Sequence, residues 1–138
     1  MNAKVTIVIP VYNTKEYLEH CVSSVVNQTF QDIDILLVDD GSTDGSADLC
    51  DKLANSDKRI RVIHKENGGL SSVRNLGIDK ALGKYLMFLD SYYWLDTETV
   101  EILFKKAEIE ETDVLRWGRQ DENSSSLILN VAYSKHTT

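Results

Sequence analysis

The sequence predicts an α/β fold on a mostly parallel sheet, from three observations. Short runs of consecutive apolar, β-branched residues recur along the chain. Each is followed by a stretch whose apolar residues return at helical spacing. The junctions between them are turns rich in Asp, Asn, Ser and Gly. A strand that is apolar at successive positions is covered on both faces, and a crossover helix carries the chain back to start a parallel neighbour. The 138 residues, 42% apolar and 27% charged, suit one globular domain. At this length folding hides roughly two thirds of the surface of the unfolded chain, enough for a core without disulfides or structural zinc.

Val5 to Val11 is the first apolar run, interrupted only by Thr6 and Pro10. Asn13 reads as a helix cap with Glu16 reaching back to it, ahead of Tyr17, Leu18, Cys21, Val22, Val25 and Val26. Ile33 to Val38 repeats the strand signal and ends in the polar turn 39–45, after which Leu49, Cys50 and Leu53 mark a second helix. Ile60 to His64 is a third strand. Asn67-Gly68-Gly69 turns the chain, and Leu70, Val73, Gly77, Ile78 and Ala81 form the inner side of a third helix closed by Gly83. Tyr85 to Leu89 is the fourth strand and 90–96 a loop. Val100, Leu103, Phe104 and Ala107 form the apolar side of a fourth helix, and Asp113 to Trp117 predicts a fifth strand. The domain is expected to span 1–118. Residues 119–138 open on a polar turn, and Leu127 to Tyr133 has the pattern of a terminal strand whose role the pattern leaves open.

Fifteen basic against 22 acidic side chains give a net charge of −7, which argues against a binder of the nucleic acid backbone, since such proteins show a basic patch in their composition. The first apolar run is too short for a signal peptide or a membrane span. Cys21 and Cys50 lie in helical stretches among apolar residues and read as small packing groups in a reducing, cytoplasmic compartment, with peripheral contact at the inner membrane face the form of membrane association left open. His20, His64 and His136 are scattered, without Cys or His at metal-ligand spacing, and read as structural or exposed. No Walker A sequence, G-x-S-x-G elbow or G-x-G-x-x-G fingerprint occurs.

Parallel α/β sheets bind ligands at the carboxyl ends of their strands. Four segments fall there: Pro10-Val11-Tyr12-Asn13, Val38-Asp39-Asp40-Gly41-Ser42, Asn67-Gly68-Gly69 through Arg74-Asn75, and Leu89-Asp90-Ser91. Singly, each is as well explained by a rim aromatic, a capped turn, a chain reversal or a structural ion pair. Together they supply a ring for a base, acids for base N–H or ribose hydroxyls, glycines for close approach and a guanidinium for phosphate, the parts that hold a nucleoside diphosphate.

Those segments, with Asn27-Gln28-Thr29-Phe30 and the run Leu70-Ser71-Ser72-Val73-Arg74-Asn75-Leu76-Gly77, resemble the successive signatures of family 2 glycosyltransferases, in order from about Lys4 to Leu95. The resemblance implies a GT-A, Rossmann-like sheet flanked by helices, of which this chain holds the part that binds a nucleotide-diphosphate sugar, often a uridine diphosphate sugar. It further implies inverting transfer to the hydroxyl of a glycan or lipid-linked acceptor in polysaccharide or cell-surface glycan synthesis. By the same resemblance Pro10, Tyr12 and Asp40 contact the base, Asp39 supports that pocket, and Gly68, Gly69 and Arg74 lie along the sugar nucleotide. Asp90 and Ser91 open the D-x-D motif, and Asp90 is its metal ligand for Mn²⁺ or Mg²⁺.

The sequence departs from the family in two places. Members read Asp-Ser-Asp-Asp-Trp where this chain reads Asp90-Ser91-Tyr92-Tyr93-Trp94, so a phenol replaces the second carboxylate and the expected cation has lost a ligand. The three aromatics suit either a cover for the sheet edge or a stacking surface for sugar or acceptor. The acceptor-binding half ordinarily follows at length, whereas this sequence stops after about the fifth strand; the exposed apolar surface this implies predicts self-association into a homo-oligomer. Asp121 and Glu122 are the late paired acids, but they sit in a polar turn, and no general base is assigned. The alternative is a catalytically impaired nucleotide-sugar-binding or assembly module.

Overall fold

The computed structural model describes residues 3–110, 114–120 and 127–134. Strands β1 (Val5–Val11), β2 (Ile33–Asp40), β3 (Ile60–Lys65) and β4 (Tyr85–Phe88) alternate with helices α1 (Lys15–Val26), α2 (Ser46–Ser56) and α3 (Leu70–Lys80). Then follow α4 (Thr99–Glu110), β5 (Val114–Gln120) and β6 (Leu127–Ser134). The sheet order is β3-β2-β1-β4-β6-β5, with the first four strands parallel and β6 antiparallel to both its neighbours.

The expected fifth strand is present but does not pair with the fourth. The final strand takes that place, so the segment of open role carries β5 on the sheet. The boundary expected at residue 118 falls inside β5, which runs to Gln120. Residues 121–126 are too few to hold a crossover helix, so β5 and β6 can pair only as an antiparallel return. Asp121, Glu122 and His136 lie outside the described residues.

The central strands are buried on both faces and mostly apolar, with Thr6 and Asp34 as the buried polar exceptions in their interiors. Ile7, Ile9, Ile35 and Leu37 point toward α1, α2 and α4, while Val8, Leu36 and Val38 point toward α3. Cys21 and Cys50 are buried in the first of these cores, and burial pushes both thiols up to about 12, so they pack as apolar groups as expected.

The third helix differs from its predicted face. Val73 and Gly77 are buried, but Leu70 and Ile78 are exposed. A methyl on Gly77 would stand 2.9 Å from Val8 Cγ1, so the helix seats its 73–77 line on the sheet at the smallest residue and turns positions 70 and 78 to the flanks. Nor does Gly83 cap this helix, which ends at Lys80 with Ala81 as its C-cap. Gly83 lies on β1 instead, donating its N–H to Thr6 Oγ1 at 2.8 Å. The same hydroxyl donates to Asp34, a fully buried carboxylate that Arg61 grips through two bonds of 2.8 and 2.7 Å. Arg61 also donates to Lys80 O, which ties the end of α3 to the sheet.

A Cβ on Gly83 would lie 2.6 Å from Thr6 N and 2.7 Å from the Val5 carbonyl carbon, both in the backbone of a central strand. Gly83→Ala is therefore expected to lose roughly 1–3 kcal/mol of stability. Urea denaturation measures this, and an unchanged midpoint would show that the loop relaxes without disturbing β1.

Candidate functional site

Strand order reverses between β1 and β4: α1 and α2 lie on one face of the sheet and α3 on the other. Beyond the carboxyl ends of these strands opens a crevice of about 310 Å³, at the switch point where open α/β sheets bind ligands. Pro10 stands near the end of β1 with Tyr12 and Thr14 after it, Asp40 ends β2, Asn67 and Gly69 lead into α3, which adds Leu70 and Val73, and Asp90, Ser91 and Tyr92 follow β4.

Alternation along β2 sends its last two carboxylates to opposite faces. Asp40 turns toward α3. Its Oδ1 accepts from Lys65 Nζ and Gly68 N at 2.9 Å each, and its Oδ2 from Gly69 N at 3.1 Å. Burial alone would raise its pKa, but the bonds from Lys65, Gly68 and Gly69 outweigh burial and hold it below the ordinary carboxylate value. Gly69 starts α3 at φ +87°, a conformation that favours glycine, and so brings its N–H onto Asp40. Asp39 turns the other way, to His64 Nδ1 at 2.8 Å and Ser42 N at 3.0 Å. Burial pushes Asp39 up too, and its bonds to His64 and Ser42 bring it below its usual value. The other His64 nitrogen meets Asp51 at 2.8 Å, and these two carboxylates raise the His64 pKa.

The turns after β1 and β2 are stitched together. Asn13, at φ +52°, takes its N–H to Ser42 Oγ and accepts Thr43 N on its own Oδ1 at 2.8 Å. It does not cap α1 as expected. Thr14 holds the cap position without a side-chain cap bond, and Asp44 of the neighbouring turn accepts the free N–H of Lys15. The cap comes from 29 residues away in sequence, so local pattern could not place it.

The segment after β4 is fastened along α1. Cys21 Sγ lies 3.8 Å from Asp90 O, Ser91 donates to Thr14 Oγ1 at 2.8 Å, and Leu95 N donates to Ser24 Oγ at 3.0 Å. Gln28, fully buried, donates to Asp96 O and accepts Val100 N at the start of α4, while Thr29 N reaches Thr97 O.

A protein-family model described as glycosyl transferase family 2 matches residues 6–129. The chain belongs to that family. Among curated relatives, the glycosyltransferases GlyA and GlyG of Streptococcus pneumoniae serotype 4 are 41% and 40% identical over 80% and 83% of this chain. The chain spans only 16% and 38% of their lengths. Among solved structures, Staphylococcus aureus TarS 1-349 in complex with UDP has a TM-score of 0.74 at 26% identity, over 80% of this chain and 34% of that one. The mannosyltransferase PcManGT of Pyrobaculum calidifontis, in complex with GDP-Man and Mn²⁺, shares the fold with a TM-score of 0.80 at 17% identity, over 97% of this chain and 45% of its own. The GT-A architecture read from the sequence is thus the observed one.

Of the residues that the family 2 signatures single out, Pro10, Tyr12, Asp40, Gly69, Asp90 and Ser91 line the crevice. Asp39, Gly68 and Arg74 do not. Asp39 holds the turn behind the wall, Gly68 orients Asp40, and the Arg74 guanidinium stands over the Phe88 ring, 5.8 Å from its centroid. The sequence reading singled out neither Thr14 as a wall residue, nor Lys65 as the partner of Asp40, nor the anchoring role of Gln28. The parity of Lys65 on β3, opposite Asp40 in register, is the signal that could have found it.

The cation that the family implies does not find a fitting set of donors. Among the described residues no three His, Cys, Asp or Glu side chains converge as a metal site. Asp90 Oδ1 takes the N–H of Tyr92 at 3.1 Å, and the Tyr92 ring lies against Tyr17. One carboxylate and an aromatic ring are a poor set for a hard cation.

The Asp39–His64–Asp51 chain carries a pH signature. Stability from the raised His64 is complete below its unfolded value of 6.5 and is lost as pH rises through its folded value. Stability from the depressed Asp39 is complete above 3.8 and is lost as pH falls through its folded value. The joint contribution is therefore greatest between those limits. Urea midpoints against pH are expected to peak there more sharply than in His64→Gln, and identical profiles would refute the coupling.

Proposed function

We propose that this chain is the donor-binding part of a glycosyltransferase and that its crevice holds the nucleoside diphosphate of an activated sugar, a uridine diphosphate sugar in the first instance. The observation that carries this reading is the meeting of Tyr12, Asp40 and Asp90, far apart in sequence, on one crevice at the switch point of the sheet. TarS, 26–27% identical, has been crystallised with UDP and with UDP-GlcNAc, which supports uridine as the base.

In this reading the exposed Tyr12 ring stacks on the base, with Pro10 beside it. Asp40 is the acceptor for a base N–H or ribose hydroxyl, because its Oδ2 accepts only Gly69 N and retains accepting capacity. Gly69 leaves room for the ribose, since nothing lies within 4 Å of where its Cβ would stand. Arg74 is the cation for phosphate, and Asp90 and Ser91 border the sugar. In the transfer, the acceptor hydroxyl oxygen bonds to the anomeric carbon from the face opposite the diphosphate. The bond to the diphosphate oxygen breaks with its electron pair, and the hydroxyl proton passes to a base. No described acid is given that last role. A chondroitin synthase of Pasteurella multocida, 38% identical over 74% of this chain, supports polysaccharide synthesis as the setting. The same reading has a lipid-linked acceptor met peripherally, at the inner membrane face; no described helix is long and apolar enough to cross a membrane.

Tyr92 favours a second reading within the same site, a nucleotide-sugar-binding module without transfer activity. Both readings expect the chain to bind UDP more tightly than GDP in calorimetry. They also expect Tyr12→Ala to weaken UDP by roughly tenfold through loss of stacking. From the donor set, affinity is expected to change by less than about twofold on adding Mn²⁺, and Tyr92→Asp to create a metal enhancement. Absence of UDP binding overturns both readings. Mn²⁺-enhanced binding by the unaltered chain overturns the metal independence expected from the donor set.

A further inference from the structure

Lys65 ends β3 beside Asp40, its register partner at the end of β2, so the two side chains share the α3 face of the sheet. Its ammonium donates to Asp40 Oδ1 at 2.9 Å and to Glu66 O at 2.6 Å, and its side chain is only 19% exposed. Asp40 lines the crevice and Lys65 does not. Any effect of Lys65 on a ligand there passes through that carboxylate.

Satisfying a buried carboxylate does not by itself account for the pair. Asp40 already accepts Gly68 N on Oδ1 and Gly69 N on Oδ2. Lys65 adds a second bond to Oδ1, which leaves Oδ2 as the oxygen with capacity for a ligand. The turn before α3 also makes room for the ammonium. Gly68 lies outside the left-handed region, so its backbone does not call for glycine. A Cβ there would stand 2.9 Å from Lys65 Nζ and 2.9 Å from Ser72 Oγ, and so would press the ammonium away from its place.

An ionised carboxylate accepts hydrogen bonds and cannot donate them. Burial works against the ionised form of Asp40, and the cation beside it favours that form. An acceptor at this place fits a base whose ring nitrogen carries a proton, as uracil N3 does. It opposes cytosine, whose N3 is itself an acceptor, whereas a protonated Asp40 would offer cytosine a donor.

We infer that Lys65 is a positioning residue for base selection: by holding Asp40 Oδ1 it presents Oδ2 as an acceptor and so favours a nucleotide with a protonated ring nitrogen over one without. This deepens the donor-binding reading and rests on it for the ligand of Asp40. Calorimetry of the full chain with UDP and with CDP at neutral pH gives a preference ratio for each variant. The unaltered chain is expected to favour UDP by about tenfold or more, and Lys65→Met to narrow that ratio by about threefold or more. Lys65→Arg, which keeps the charge, is expected to stay within about twofold of the unaltered ratio. A residue needed only for folding would weaken both nucleotides alike and leave the ratio where it was. Circular dichroism checks the fold, and where Lys65→Met does not fold, Lys65→Gln, polar and uncharged, replaces it with the same expected ratio.

An unchanged ratio in the folded, uncharged variant overturns the inference and leaves the donor reading standing. So does a ratio narrowed as much by Lys65→Arg, because charge is then not what holds Asp40. Equal affinity of the unaltered chain for UDP and CDP overturns the inference by removing the base contact, with the crevice still a nucleoside diphosphate site. Absence of UDP binding overturns the donor reading and the inference together.

Discussion

The site depends on the parity of one strand end. Adjacent residues of β2 must face opposite ways, so the consecutive carboxylates Asp39 and Asp40 are committed to different layers of the molecule. Asp40 gathers Lys65, Gly68 and Gly69 and so shapes the crevice wall from the α3 side. Asp39 gathers Ser42, which in turn receives Asn13 N, and braces the opposite side through His64. A shift of β2 by one residue would exchange the two and dissolve both networks. The fully buried positions before them, Ile33 through Val38, make that shift costly, because they are apolar except for Asp34, which must stay beside Thr6 and Arg61.

A second constraint joins the layers. The segment after β4 descends along α1 from Tyr92 opposite Tyr17, through Leu95 at Ser24, to Asp96 at Gln28 and Thr97 at Thr29. Gln28 is the joint. Its amide satisfies Asp96 O and also an otherwise free N–H at the start of α4, so one buried side chain fixes both the course of the segment and the entry of the next helix. Asp90 and Ser91 are thereby placed on the crevice by contacts made well behind it.

Elements written in local pattern were legible. The mainly apolar runs identified β1 to β4, and Val100, Leu103 and Ala107 identified the buried side of α4, because burial on two faces or on one stripe leaves a direct trace in composition. What depended on distant partners was not. Asn13 reads as a cap by its position, yet serves the turn after β2. Leu70 and Ile78 fit a helical stripe, but close seating of Gly77 on Val8 set the rotation of α3. The last strand carried a clear β pattern and no information on its neighbours, and it entered the sheet between β4 and β5. At the site, turn chemistry marked Tyr12, Asp40, Gly69 and Asp90. The placement of Arg74 over Phe88 rather than on the crevice wall followed from helix rotation.

Tyr92 sharpens the electrostatic logic of the crevice. Two carboxylates at positions 90 and 92 would repel one another unless a cation lay between them, by an amount on the order of 4 kcal/mol at 4 Å near a protein surface. With a phenol at 92, that repulsion does not arise. The turn closes on its own: Asp90 Oδ1 takes the Tyr92 N–H, and the Tyr92 ring packs on Tyr17. The segment is thus shaped by hydrogen bonding and ring contact, where a second carboxylate would make its shape depend on a bound ion. If the crevice holds a diphosphate as proposed, this trades charge compensation there for apolar surface at the mouth. In the proposed reading that compensation would fall to Arg74, which stands off the crevice wall over Phe88 and has no salt bridge among the described residues, so it could swing to an anion without first breaking an ion pair.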